Sequence, residues 1–250
     1  MWVNRAKAKL QAGESIRGVF INLDSIQAVE LCGLLGFDFC LIDAEHAPFG
    51  PQYVEQLIRA ADVSGMTPLV RVAQNERQVI LRYLDVGAQG VQIPMVNTAA
   101  QAQAVVEAVK YTPLGKRGLA SVTRASRWGV GINVPDYVAR ANEETMVIVQ
   151  VETQEALDNL DAILAVPHID LVFVGPTDLS QSFGVPGQPT HPRVVAALED
   201  VVARAGAVGL PVGTVAPDAQ LMHERLTQGV RSVATNTTAL LSQAASAFLA

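Results

Sequence analysis

Phe37-Asp-Phe-Cys-Leu-Ile-Asp-Ala-Glu-His-Ala-Pro48 is the stretch whose reading decides the fold. Residues 39–42 form an apolar run of the length of one strand, with no polar face, as expected of a strand buried on both sides. The run stops in Asp43, Glu45 and His46 and is closed by Pro48. A parallel strand that delivers acids and a histidine at its carboxyl end is how α/β enzymes present chemistry.

Outward from that strand, the same beat repeats. Strands are expected over 18–22, 38–42, 67–72, 89–94, 145–151, 169–174, 211–215 and 230–234. Helical spacing and capping residues place helices over 4–12, from Asp24 or Ser25 to about 35, and over 51–64, 76–86 and 98–110. Further helices follow over 153–165, 193–208, 217–227 and 238–249. Pro51 suits a first helical position, and Gly87 a helix end. Two segments break the rhythm. Residues 111–135 form a glycine- and arginine-rich excursion with Arg117, Arg124 and Arg127, and 184–192 form a Gly/Pro-rich loop after a loop carrying Asp178. Long loops in compact domains usually carry function or interfaces. Eight strand–helix alternations in 250 residues without a linker favour one (β/α)8 barrel spanning 1–250 over an open doubly wound sheet. No GxGxxG or GxxxxGK[ST] motif follows a strand, which weakens the nucleotide-binding form of the open sheet.

Composition agrees with that class. Half of the residues are hydrophobic and only 5% aromatic, so the core is built from Val, Leu, Ile and Ala. The net charge of −6 and the lack of any basic run argue against a nucleic-acid partner. Cys32 and Cys40 are too few for a disulfide framework and read as reduced, buried cysteines. The first ten residues lack the apolar core of a signal peptide, and no run approaches the roughly 18 apolar residues of a membrane helix. A soluble, cytoplasmic protein is the expectation.

In a closed parallel barrel the polar residues at strand ends share one rim: Asp43, Glu45 and His46 after strand two, Arg71 ending strand three, Gln150 and Glu152 ending strand five, and Asp178 after strand six. Glu152 and Asp178 suggest a hard divalent cation, Mg²⁺ or Mn²⁺, with Co²⁺ or Zn²⁺ as further candidates. Each also has a plain structural reading, Glu152 as a carboxylate at a helix N-terminus and Asp178 as a cap. Asp43 stands where it can hold one ring nitrogen of His46 and make the other more basic. Arg71 either neutralises the acids or offers its donor fork to a substrate carboxylate or oxyanion. Val174-Gly-Pro-Thr-Asp-Leu-Ser180 opens a helix, whose free N–H groups suit an anion. The four lysines, Lys7, Lys9, Lys110 and Lys116, all lie off the strands, which leaves a Schiff-base mechanism without a candidate. Of the other histidines, His168 and His223 are peripheral, and His191 is the one able to approach the rim.

These motifs resemble the metal-dependent (class II) 2-keto-acid aldolases of the 4-hydroxy-2-oxoheptanedioate aldolase type. The resemblance is carried by Phe37–Pro48, Pro68-Leu-Val-Arg71, Leu84-Asp-Val-Gly-Ala-Gln89, Pro94-Met-Val96 and Lys110-Tyr-Thr-Pro-Leu-Gly-Lys-Arg-Gly118. It continues in Arg124-Ala-Ser-Arg-Trp128, Gln150-Val-Glu152 and Val174–Ser180, and so runs over nearly the whole chain. It implies a barrel of the phosphoenolpyruvate/pyruvate-binding type and a lyase that reversibly splits 4-hydroxy-2-keto acids into pyruvate or hydroxypyruvate and an aldehyde. It further implies Glu152 and Asp178 as metal ligands, and His46 as the base oriented by Asp43. Arg71 would steady the enolate and Gln150 contact the keto acid, with backbone at Gly175, Pro176, Thr177 and Asp178 on its carboxylate. Asp85 matches a family aspartate near the subunit contact, and Arg124 and Arg127 a packing segment. Hexamers built as trimers of dimers, exchanging the C-terminal helix, are implied as well.

The same enolate would serve an acyl-CoA lyase or a 2-keto-acid decarboxylase, and these remain the alternatives. Phe49-Gly50 and Ala234-Thr-Asn-Thr-Thr238 depart from the usual pattern, and both are expected to line the entrance and bear on the choice of aldehyde and keto acid. Glu45 is open between a supporting role near the cation and a simple helix-entry carboxylate.

Overall fold

The computed structural model describes residues 3–250; Met1 and Trp2, at the start of the segment read for a signal peptide, lie outside them. Eight parallel strands close into a barrel in sequence order. They are β1 Ile16–Ile21, β2 Phe39–Asp43, β3 Thr67–Arg71, β4 Gly90–Ile93, β5 Met146–Val151, β6 Leu171–Val174, β7 Val212–Val215 and β8 Ser232–Asn236. The barrel shuts through β1 and β8, with Gly18 opposite Ala234 and Phe20 opposite Asn236.

The helices are α1 Arg5–Gln11, α2 Ile26–Leu34, α3 Pro51–Ser64, α4 Arg77–Asp85, α5 Ala99–Val109 and α6 Val134–Glu144. They continue as α7 Gln154–Asp158, α8 Leu160–Leu164, α9 Pro176–Ser182, α10 Pro192–Ala207, α11 Ala219–Thr227 and α12 Thr237–Leu249. Caps set several starts: Ser25 opens α2, Thr98 with Gln101 forms a capping box at α5, and Asn236 opens α12.

The two-residue period of the strands divides the core in two. Cys40, Ile42, Val70, Val147 and Val149 point outward into the layer beneath the helices. Phe39, Leu41, Leu69, Met146, Ile148 and Phe173 point inward and fill the barrel. Large and small residues alternate there: a methyl group on Gly18 would lie 2.1 Å from the ring of Phe39. The same parity carried to the strand ends turns Asp43, Arg71 and Gln150 inward at the rim.

The structure corrects four expectations. The excursion over 111–135 is followed by a helix, α6, that periodicity alone did not claim. Its signals are the Asn133 cap, Pro135 in the first turn and the buried Tyr137 and Ala141. The helix expected over 153–165 is two short helices meeting at Asn159. Asp178 sits in the first turn of α9 rather than in a loop. Thr235 and Asn236 extend β8 beyond its expected end at 234, because their backbones pair with Val19 and Phe20 of β1.

One part of the chain leaves the barrel uncovered. Residues 241–250 of α12 and its end are all exposed, including Phe248 at 89% and Leu249 at 82%. Leu31, Leu34 and Leu35 at the end of α2 are exposed too. Such apolar surface is usual for an interface.

Candidate active site

The carboxyl ends of the strands enclose a cleft of about 510 Å³ lined by Asp43, His46, Arg71, Gln150, Asp178 and the Gly175–Thr177 backbone, among others. A larger cavity, about 590 Å³, lies at the opposite end of the barrel around Arg5, Asp62 and Arg124. Chemistry selects the smaller one, since the inward strand-end residues converge there.

Asp43 and Arg71 anchor it. They are register partners on β2 and β3, and the guanidinium grips the carboxylate with both arms, Nε to Oδ1 at 3.1 Å and Nη2 to Oδ2 at 2.8 Å. Such forks are directional and strong where water is excluded, and Asp43 is only 4% exposed. The Arg71 guanidinium also lies 5.0 Å from the ring centre of Phe20. Its Nη1 is 3.2 Å from Glu45 Oε2, an ion pair without hydrogen-bond alignment. Two of its five N–H groups bond Asp43, and the other three have no hydrogen-bond partner among the described residues.

Asp43 does not hold a ring nitrogen of His46. Its Oδ1 instead accepts the backbone N–H groups of Glu45 and His46, each at 3.2 Å, and so fixes the turn on which His46 stands. The physical reason is the register of β2 with β3, which gives the carboxylate to Arg71. The acid nearest the ring is Glu45, whose Oε2 is 3.8 Å from Nε2. Glu45 thus bridges Arg71 and His46. Burial raises its pKa, and the charges of Arg71 and His46 pull it back. The His46 side chain is 64% exposed and free to meet a ligand.

Glu152 closes the other side. It is 2% exposed, and its Oε1 accepts the Met95 backbone N–H at 2.8 Å while Oε2 accepts the amide of Gln150. Gln150 accepts in turn from Gln92, so the three inward side chains form one fixed row. Burial, together with the negative charges of Asp178 and Glu45, raises the pKa of Glu152 to about 7 against those two hydrogen bonds.

The donor set fits a hard divalent cation. The charge of Asp178 is felt at Glu152, so negative charge is in excess between the two carboxylates, and Arg71 is already committed to Asp43 and Glu45. Glycine at 175 keeps the way open, because a Cβ there would lie 2.5 Å from Glu152 Oε2. Among the described residues no three His, Cys, Asp or Glu side chains form a ready cage. An ion held by two carboxylates fills its shell with water and substrate oxygens. Gly175→Ala is therefore expected to lower kcat/KM by roughly tenfold or more with little change in melting temperature, as read by steady-state kinetics beside thermal unfolding.

Several residues stand elsewhere. Asp85 ends α4 away from the cleft, paired with Arg117 at 3.0 Å. Arg124 binds Asp62 at 2.5 Å beside the opposite cavity, and Arg127 begins a short 3-10 turn there. His191 caps α10, its Nδ1 accepting from Arg193 N, and does not line the cleft. Phe49 does not line the entrance: it is 6% exposed and packs on Tyr53 with the core. Asn236, by contrast, does line it. Gln92, Phe20 and the Met95 N–H are contributors that no motif singles out; the signal for the first two is the inward parity of their strands.

The profile of the HpcH/HpaI aldolase/citrate lyase family matches residues 17–242. The chain belongs to this family. It is 43% identical to a pyruvate aldolase of Rhizobium etli over 86% of this chain and 84% of the relative. It is 41% identical to a hydroxypyruvate/pyruvate aldolase of Sagittula stellata over 92% and 90%. A crystal structure of a family protein from Burkholderia cenocepacia J2315 superposes with a TM-score of 0.93 at 32% identity, covering 99% of this chain and 98% of that one. The barrel is thus the family's fold, and the chain is an enzyme of the lyase class.

The lysines agree with an HpcH/HpaI site. Lys7, Lys9 and Lys116 pair with Asp170, Asp38 and Glu107. Lys110 is buried, and burial lowers its pKa to about 8, which in a cleft would mark a reactive amine. Its Nζ instead donates to the carbonyls of Asn142 and Thr145, at the start of β5 and far from the rim.

Proposed function

We propose that the chain is a divalent-metal-dependent aldolase that reversibly cleaves 4-hydroxy-2-keto acids into pyruvate or hydroxypyruvate and an aldehyde. The observation that carries this reading is the meeting of two halves on one rim: the Asp43–Arg71 fork with Glu45 and His46, and the buried Glu152 with Asp178.

Glu152 and Asp178 would hold the cation, and Gln150, locked from both sides, would orient the keto acid beside it. The keto-acid carboxylate would meet the backbone that opens α9. The cation supplies Lewis-acid stabilisation of the negative charge that develops on the keto oxygen. Arg71 would stabilise the same charge, and because Asp43 and Glu45 hold it in place it need not reorganise as that charge grows. In cleavage, His46 receives the proton of the 4-hydroxyl group. The C3–C4 bond then breaks, its electrons form the enolate, and the aldehyde departs. The proton that His46 took, or one it has exchanged with water, is then delivered to C3 and completes the keto acid, which leaves His46 neutral for the next cycle. Its exposure lets His46 reach the ligand, while Glu45 beside it stabilises the protonated ring.

The relatives' pyruvate and hydroxypyruvate are the keto acids of this reading, and Mg²⁺ or Mn²⁺ the cations. The exposed apolar end of α12 supports exchange of that helix between copies in a hexamer. Among the described residues no helix is long and apolar enough to cross a membrane.

The test is carboligation of pyruvate or hydroxypyruvate with a panel of aldehydes, with and without chelator. Chelation is expected to abolish product, and added Mg²⁺ or Mn²⁺ to restore it. Trapping of a covalent pyruvate adduct by borohydride would overturn the reading in favour of a lysine enzyme.

A further inference from the structure

Gln92 lies beneath the site and differs in kind from its surroundings. Its strand sends Val91 and Ile93 outward into the layer under the helices, so Gln92 points into the barrel. Other strands fill that interior with apolar side chains, among them Leu41, Leu69, Ile148 and Phe173. Gln92 is 1% exposed and does not line the cleft. A buried amide is costly unless hydrogen-bonded, and a leucine would pack there without that cost.

The bonds that justify the amide lie one layer up. Gln92 is the register partner of Ile148, two residues before Gln150 on the same face of β5. Gln92 Nε2 donates to Gln150 Oε1, and Gln150 Nε2 donates to Glu152 Oε2. The direction of this row is forced from its upper end. Glu152, as the anion that a cation needs, can only accept, so the end of the Gln150 amide facing it is the NH2 group. The Gln150 oxygen then faces down, where only a donor keeps it from being buried unpaired. Gln92 is that donor. Gln150 Nε2 lies 3.0 Å from where a Cβ on residue 175 would stand, so its NH2 group borders the space that Gly175 leaves open in the cleft. The exit of β4 grips the other oxygen of Glu152. There the Met95 N–H donates to Oε1 from a residue at φ +54°, a left-handed conformation that is costly for methionine. The segment from Gln92 to Met95 thus holds both ends of the row.

We propose that Gln92 is a positioning residue: its donated N–H fixes which way round the Gln150 amide stands, so that Gln150 bonds Glu152 with one N–H and offers the other to the keto acid. Gln92 acts through Gln150 and touches neither substrate nor cation. A reversed Gln150 would set its oxygen against the Glu152 carboxylate and turn its donors away from the cleft. The inference rests on the aldolase reading and deepens it at the keto-acid end of the site.

The test is a double-mutant cycle on keto-acid binding. Wild type, Gln92→Met, Gln150→Met and the double variant, each checked for folding by circular dichroism, are titrated by calorimetry with oxamate in saturating Mn²⁺. Oxamate is an unreactive analogue of pyruvate. Gln92→Met keeps length and volume and removes the donor. It is expected to weaken oxamate about tenfold and to raise KM for pyruvate in carboligation to match, with kcat changed less than about threefold. In the Gln150→Met background the same substitution should cost almost nothing, since no amide is left to orient. Gln92→Glu should weaken oxamate more than Gln92→Met does, because its carboxylate draws the Gln150 NH2 group down and away from the cleft. Undiminished oxamate affinity in Gln92→Met overturns the proposal. So does an equal loss with and without the Gln150 amide, which would make Gln92 a packing residue only. Should Gln92→Met fail to fold, Gln92→Glu, which keeps a polar group at that place, decides by the same cycle. If wild type binds oxamate yet turns over no aldehyde, the aldolase assignment fails, while the cycle still decides the role of Gln92.

Discussion

Glu152→Gln is expected to lower both cleavage and carboligation by about 10²- to 10³-fold and to leave the protein folded. The substitution keeps the shape of the side chain, so the Met95 N–H keeps an oxygen acceptor. What it removes is one of the two charges offered to the cation, and hard divalent cations favour carboxylate over amide. The apparent affinity for Mg²⁺ or Mn²⁺ should fall with the rate, and excess metal should recover only part of the activity. Stability should change little, because relief of the buried charge is set against the Gln150 N–H, which then faces an NH2 in place of Oε2. Glu152 is a buried acid whose pKa burial raises to about 7, so a neutral amide there relieves an electrostatic cost. Steady-state kinetics over a metal titration, beside thermal unfolding without metal, checks both halves. Full activity with unchanged metal affinity would remove Glu152 from the site.

The second large effect concerns the proton. His46→Ala is expected to lower kcat by about 10²- to 10⁴-fold with KM for the keto acid changed little. The ring is 64% exposed and no hydrogen bond fixes it, so its loss leaves no cavity and no orphaned partner. The fold and the metal affinity should therefore match wild type. Asp43→Asn should behave differently. It keeps an oxygen for the turn under His46 but sets an NH2 against Arg71 Nη2 in place of Oδ2 and removes the counter-charge of a buried guanidinium, so stability should fall with activity. A His46→Ala enzyme retaining most of its kcat would hand the proton to another group, with Glu45 first in line.

The barrel was legible because its signals are local and repeated. Residues 39–42 are an apolar run of strand length, and the Gly, Pro and capping residues around them mark where each helix starts or stops. The rim followed from parity: once Phe39 and Leu41 point inward, Asp43 must as well. The partners were less legible. Asp43 stands only three residues before His46, and it is the register of β2 on β3 that awards it to Arg71. Sequence likewise cannot show that Gln92 and a backbone N–H at Met95 hold the Gln150–Glu152 row, since both depend on the register of the neighbouring strands β4 and β5. The β8 boundary was missed for a related reason. Thr235 and Asn236 are turn-like by type, but β1 supplies them with a neighbour to pair with. Arg225 is the extreme case, a cation on a surface helix by pattern and a buried one by packing.

The most direct measurement follows the C3 protons of pyruvate by NMR in deuterated water, with enzyme and no aldehyde. Enolate formation at this rim should exchange them for deuterium in the presence of Mg²⁺ or Mn²⁺. Exchange should stop on chelation, return with added metal, and be lost in Glu152→Gln. Exchange that persists undiminished in the chelated enzyme, or that never occurs in the metal-loaded one, would contradict a metal-supported enolate as the centre of this protein's chemistry.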